Sequence, residues 1–165
     1  MNIVLDELKT RASFLHKKLH HADPVALELA RVLSRKAHWT PPAEWQHKHC
    51  LNLIALQNGF QDWNHAHQVF SGLAKPGDDM GDFWYRDWSF TNHWFLEYTE
   101  AKQYLNADPT VYLLPYRTQY FAVASDYLDA LNLLPHDPDW KKIHRNLCDA
   151  YGTPFWLTLA RRCLD

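Results

Sequence analysis

Five glycines in 165 residues leave this chain little material for a loop that cradles phosphate. No G-x-S-x-G, G-x-x-x-x-G-K or G-x-G-x-x-G occurs, which excludes the hydrolase, nucleotide and dinucleotide chemistries built on those turns. Cysteine is equally sparse. Cys50, Cys148 and Cys163 form no C-x-x-C pair and leave an odd thiol, a pattern suited to a reducing compartment. Cys50 lies in the most apolar helical run and the other two on amphipathic ones, so all three read as packing groups whose thiolates are disfavoured. No apolar run approaches the length of about 18 residues that a membrane span needs. The opening MNIVLDELKTR reaches Asp6 and Glu7 too soon for a signal peptide, so the expected location is the cytoplasm and no membrane partner is expected. Positive charge is not in surplus either. A net charge of −2 disfavours nucleic acid, because phosphate contacts draw on an excess of Lys and Arg.

Aromatic residues are abundant: eight Trp, eight Tyr and eight Phe accompany 11 His and only two Met. Such a core is bulky and rigid, and its Trp and Tyr polar edges need hydrogen-bond partners. A chain of this size buries about 68–70% of its unfolded surface, enough for one domain or two packed halves. Charge divides unevenly, with eight Lys/Arg against five Asp/Glu in residues 1–50 and three against eight in residues 51–110. These read as solvated faces.

Helix starts are punctuated by a repeated device, Asp or Thr followed by proline: Asp23-Pro24, Thr40-Pro41, Asp137-Pro138 and Thr153-Pro154. The first residue caps, and proline takes the first helical position, where its missing N–H costs nothing. The spacing predicts helices over 2–20 (stripe Val4, Leu8, Ala12, Leu15, Leu19), 24–37, 41–58, 63–73, 92–106 (stripe Trp94, Tyr98, Ala101, Leu105), 126–134, 138–151 and 154–164. The segment TVYLLPYRTQYFAV is the only convincing β text, and Pro115 restricts it to a short or edge strand. The fold class expected is therefore mainly α, about seven to eight helices with at most one short β hairpin or edge strand near 111–123. Lys75-Pro76-Gly77-Asp78 marks a division into 1–74 and an aromatic-rich 75–165, or a break within one single domain.

The most organised stretch is LNLIALQNGFQDWNHAHQVF, residues 51–70. An apolar helix ends at Gly59, Phe60 folds back, Asp62 caps the next helix, and Trp63 is expected to pin the corner. A DNA-binding helix-turn-helix fits the turn but not the second helix. His65 and Gln68 fall where such a motif packs inward.

Leu8-Lys9, Ala12, Leu15 and Leu19, followed by Leu51, Ala55, Gly59, Phe60, Asp62, Trp63 and Asn64, carry a resemblance to the small helical domain of bacterial glyoxalase-related proteins. That domain runs LK-two-A-two-L and then GF-DWN. The resemblance covers at most the first 73 residues and implies a fold, not an activity. Here an additional helical segment, 24–39, stands between the two matching parts, and the metal-dependent companion domain of βαβββ units has no counterpart. From about Lys75 on, the chain resembles bacterial proteins from which no site residue carries over.

Candidate chemistry is thin. His47-x-His49 and His65-x-His67 point in different directions on a helix, and no metal and no cofactor are expected. His93, Glu97 and Glu100 share one face of the predicted 92–106 helix and read first as a solvated polar face. The densest unusual feature is Phe83 to Tyr98, where Trp84, Tyr85 and Trp88 are candidate binding residues, partly exposed, while Trp94 and Tyr98 face the core. Tyr116 and Arg117 are expected to line the same cleft, Arg117 as an anion contact. The functional reading is a bacterial cytoplasmic binding or interaction module for an unknown protein or small ligand, of unassigned oligomeric state. The alternatives are a small enzyme using His93, Glu97 and Arg117 in a cleft between the halves, and a nucleic-acid-binding regulator or antitoxin.

Overall fold

The structure, a computed structural model, describes residues 1–164 and is mainly α. Among the described residues there are eight helices and one small antiparallel sheet. The helices are α1 (Ile3–His20), α2 (Pro24–Lys36), α3 (His47–Gln57), α4 (Trp63–Phe70), α5 (Tyr98–Ala107), α6 (Ser125–Ala130), α7 (Asp139–Lys142) and α8 (Pro154–Cys163). The strands are β1 (His93–Phe95), β2 (Tyr112–Tyr116) and β3 (Gln119–Val123), in the order β1-β3-β2. None of the described helices is long and apolar enough to cross a membrane. The chain divides into two compact units, Met1–Phe70 and Ser71–Asp165.

In the first unit the stripe Val4, Leu8, Ala12, Leu15 and Leu19 is buried along α1, and Asn2 caps that helix by accepting from the Val4 and Leu5 amides. Asp23 caps α2 at 2.9 Å with Pro24 behind it. The same device fails at Thr40-Pro41. Pro42 follows Pro41 directly and disfavours helical geometry at the residue before it. The helix therefore waits for Gln46, whose amide is taken by the His49 Nδ1 at 3.0 Å in a reciprocal capping box.

The corner forms as its residues dictate. Gly59 adopts φ +87°, the Phe60 amide reaches back to the Ala55 carbonyl at 3.0 Å, and Asp62 caps α4 through the His65 amide at 2.8 Å. Its pin is Phe60, which is buried against the Phe70 ring, whereas Trp63 is only half-buried beside His67. The expectation for Trp63 is corrected accordingly: the apolar residue next to the glycine, not the first residue of the following helix, enters the core.

In the second unit, the predicted helix over 92–106 begins only at Tyr98, because His93–Phe95 pairs with Tyr120–Ala122 of β3 as an edge strand. The 138–151 helix is cut to four residues. His144 and Arg145 take φ +53° and +59°, and the chain then runs parallel to β2, the Leu113 amide donating to Arg145 and the Leu147 amide to Leu113. Side-chain periodicity fitted a helix, but pairing with a strand edge overrode it. The 126–134 helix likewise closes early, with Asn132 left-handed and the Leu133 amide bonded back to Leu128. Thr153-Pro154 starts α8 as expected, the Trp156 amide donating to the Thr153 hydroxyl.

Phe60→Ala is expected to destabilise by about 3–5 kcal/mol, the usual cost of deleting a buried aromatic. Trp63→Ala should cost distinctly less. Urea unfolding of the two variants checks the order, and the reverse order would return the pin to Trp63.

Candidate functional site

Alternation along the strands gives the sheet of the second unit two unlike faces. Leu113 and Ala122 lie on the face covered by α5, forming a core with Ala101, Leu105 and Val111, against which Phe95, Tyr98, Tyr104, Tyr120 and Cys148 pack. Leu114, Tyr116, Phe121 and Trp94 share the other face by register. There Trp94 stacks on Phe121 at 5.0 Å, and Tyr85, Trp94 and Tyr116 meet one another edge-on at 5.1–5.4 Å.

The α5 face is fixed by Arg145. Its guanidinium donates to the carbonyls of Leu105, Asp108 and Val111 at 3.1, 2.9 and 2.5 Å, joining the end of α5 to the start of β2. Asn146, buried next to it, donates to the Tyr98 hydroxyl at 2.9 Å and accepts from the Cys148 and Asp149 amides. The Tyr98 hydroxyl in turn donates to the Asp149 carboxylate, which also has the Lys102 ammonium 3.7 Å away.

These contacts make one wall of a cavity of about 280 Å³ in the second unit. Its lining comes from Met80, Pro115, Leu147 and Tyr120, from Tyr98, Cys148 and Asp149, and from Lys75–Asp78 and Tyr151. Two of the lining residues are tied together by the Ala74 amide donating to the Tyr151 hydroxyl at 3.1 Å. Beside it the backbones of Gly72 and Gly152 approach closely, both left-handed at φ +73° and +76°, where a side chain would strain the turn.

The residues singled out in the sequence are distributed differently from the expectation. Trp84 is 1% exposed, packed on Trp156 and Phe83, and is core and not a binding surface. Trp94, expected inside, is 43% exposed, because the strand and not a helix sets its direction. Tyr85 and Tyr116 join Trp94 in the aromatic plate, and Trp88, 40% exposed, leans on Phe90 and Tyr127. Tyr98 is half-buried at the cavity. His93 stands on β1 opposite Ala122 with its ring 4.8 Å from Tyr104, and Glu97 is the exposed residue preceding α5, so His93 and Glu97 do not share a helical face. Arg117 does line the cavity, but its guanidinium is clasped by both Asp82 oxygens at 2.6 and 3.1 Å, which raises its pKa further. It is a latch for the 79–82 turn. The backbone repeats the latch, with Met80 donating to Arg117 and Arg117 to Gly81.

The sequence pointed to neither Tyr120, Tyr151, Cys148 nor Asp149 as site residues. Tyr120 was legible in principle as the residue one place from Phe121 on the opposite face; the other three depend on the irregular 143–152 segment. Among the described residues no group of three His, Cys, Asp or Glu is arranged to hold a metal ion.

Burial chiefly, reinforced by the Asp149 contact, holds the Tyr98 phenol well above its ordinary value of 10.0. Tyr127 is raised by burial too, its hydroxyl accepting from the Arg86 amide and donating to the Trp84 carbonyl, both at 2.8 Å. Phenols kept protonated by the fold but free to ionise in the unfolded chain leave stability intact below pH 10.0 and remove it progressively above. An alkaline titration should therefore show tyrosinate absorbance from Tyr98 and Tyr127 appearing together with loss of the helical circular dichroism. Smooth ionisation of all eight tyrosines with the fold retained would contradict this.

No family model, no curated protein and no solved structure matches the chain.

Proposed function

We propose that the chain is a ligand-binding module whose site is the tyrosine-lined cavity of the second unit. The observation that carries the reading is the meeting, in one concave space, of an apolar floor with a few oriented polar groups, the usual anatomy of a small-molecule site. Tyr98, Tyr120 and Tyr151 supply rigid area, and the Tyr98 hydroxyl and Asp149 carboxylate are fixed by Asn146 and by each other.

Binding is favoured over catalysis by the protonation states. The one thiol bordering the space, Cys148, has its pKa pushed far up by its protein surroundings and remains a thiol, a poor nucleophile. The Tyr98 phenol stays protonated for the same reason, so it donates a hydrogen bond and does not act as a base near neutrality. Of the residues of the enzymatic alternative, His93 and Arg117 are engaged by Tyr104 and Asp82 respectively, and Glu97 stands exposed ahead of α5.

The same reading takes the chain to be bacterial and cytoplasmic, with residues 1–74 acting as a helical module of the type found in glyoxalase-related proteins. What supports that part is the run of matching residues and the corner made by Gly59, Phe60 and Asp62, not any shared site. A small-fragment screen by two-dimensional NMR on the full chain tests the function. Hits should cluster on Tyr98, Tyr120, Leu147, Cys148 and Tyr151. Hits confined to Tyr85, Trp94 and Tyr116 would transfer the function to the aromatic plate, and an absence of hits at the cavity would remove this site.

A further inference from the structure

We infer that the cavity selects an organic cation, a substituted ammonium group, over a neutral group of the same shape. This rests on the cavity being the binding site, and it names the chemistry of the ligand. The walls offer three phenol rings, Tyr98, Tyr120 and Tyr151, and every aromatic ring presents a negative face that attracts a cation. Tyr98 and Tyr120 stand 5.4 Å apart with their planes inclined at 58°, and Tyr151 completes the aromatic part of the lining.

The chain already uses one of these rings in this way. The Lys102 ammonium lies 5.9 Å from the centre of the Tyr98 ring while it pairs with Asp149. A cation in the cavity would meet the same ring and carboxylate, and Lys102 is 51% exposed and able to swing into water.

Charge around the space points the same way. Asp78 and Asp149 border it together with two cations, Lys75 and an Arg117 whose charge is answered by Asp82. An anion entering would meet two carboxylates and an arginine already committed, with Lys75 as its one remaining cationic contact in the lining. A neutral apolar group would gain contact with the floor and the rings but not the electrostatic attraction of the ring faces or of Asp149. The aromatic plate of Tyr85, Trp94 and Tyr116 is a weaker candidate, because the Arg117 guanidinium already lies 5.1 Å from the centre of the Tyr116 ring.

The test titrates the full chain, labelled in its tyrosine rings, with choline and with 3,3-dimethylbutan-1-ol, in which a tert-butyl group replaces trimethylammonium. Choline should move the Tyr98, Tyr120 and Tyr151 signals and bind about tenfold more tightly than the alcohol, the scale of a desolvated cation–aromatic contact. Tyr120→Leu, which keeps an apolar wall but removes a ring face, should weaken choline several-fold and leave the alcohol nearly unchanged. Asp149→Asn, which retains an acceptor for Tyr98, should do the same if Tyr120→Leu does not fold. Equal binding of the two probes, or tighter binding of the alcohol, with the tyrosine signals moving, would keep the cavity as a site and overturn its preference for cations. Movement of none of the three tyrosines by either probe would overturn this inference, and loss of cavity hits in the fragment screen would separately overturn the site.

Discussion

The carbonyls of Leu105, Asp108 and Val111 converge where α5 gives way to β2, and the guanidinium of Arg145 donates to all three. Two of them, from Leu105 and Asp108, belong to the carbonyl-rich end of a helix, where a fixed cation is favoured by the helix dipole as well as by the hydrogen bonds. Arginine suits the place because its planar fork reaches several acceptors at once and stays charged, which a lysine would not reproduce. The consequence passes outward through the backbone. With Arg145 held, the Leu113 amide donates to Arg145 and the Leu147 amide to Leu113, Asn146 is buried and bonded to Tyr98, and Cys148 and Asp149 arrive at the cavity wall.

That dependence explains what was legible in the sequence and what was not. The α1 stripe, the Asp23-Pro24 and Thr153-Pro154 starts, the glycine corner at Gly59 and the hairpin around Pro115 are set by residues close together in sequence, and local reasoning reached them. His93–Phe95 became a strand and 143–152 an irregular run because each pairs with residues far along the chain, Tyr120–Ala122 for the first and Leu113 for the second. No local period announces such pairing. The cavity inherits the difficulty, since Asp149 and Tyr151 are positioned by that run and Lys75–Asp78 by the Gly72–Gly152 approach.

Aromatic residues of the second unit serve three physical roles. Trp84, Trp140 and Trp156 are buried core. The Trp140 indole donates to the Leu133 carbonyl, satisfying the polar edge such a core must accommodate. Trp94, Tyr85 and Tyr116 cover one face of the sheet, and Tyr98, Tyr120 and Tyr151 border the cavity toward the other. Period-two alternation in β1 and β3 does the sorting: Trp94 and Phe121 fall on one side, Tyr120 and Ala122 on the other.

The most direct measurement of this account is native-state hydrogen exchange at the Leu113 and Leu147 amides, which donate to Arg145 and Leu113 at 2.9 and 3.0 Å. If the Arg145 clamp holds the cavity wall in place, both amides exchange only when the whole second unit unfolds, with the same free energy as the Ala101 and Leu105 amides of α5. Exchange at Leu147 as rapid as at the exposed Gly77 turn, while α5 stays protected, would show that the 143–152 segment opens on its own and that the wall is not built by the clamp.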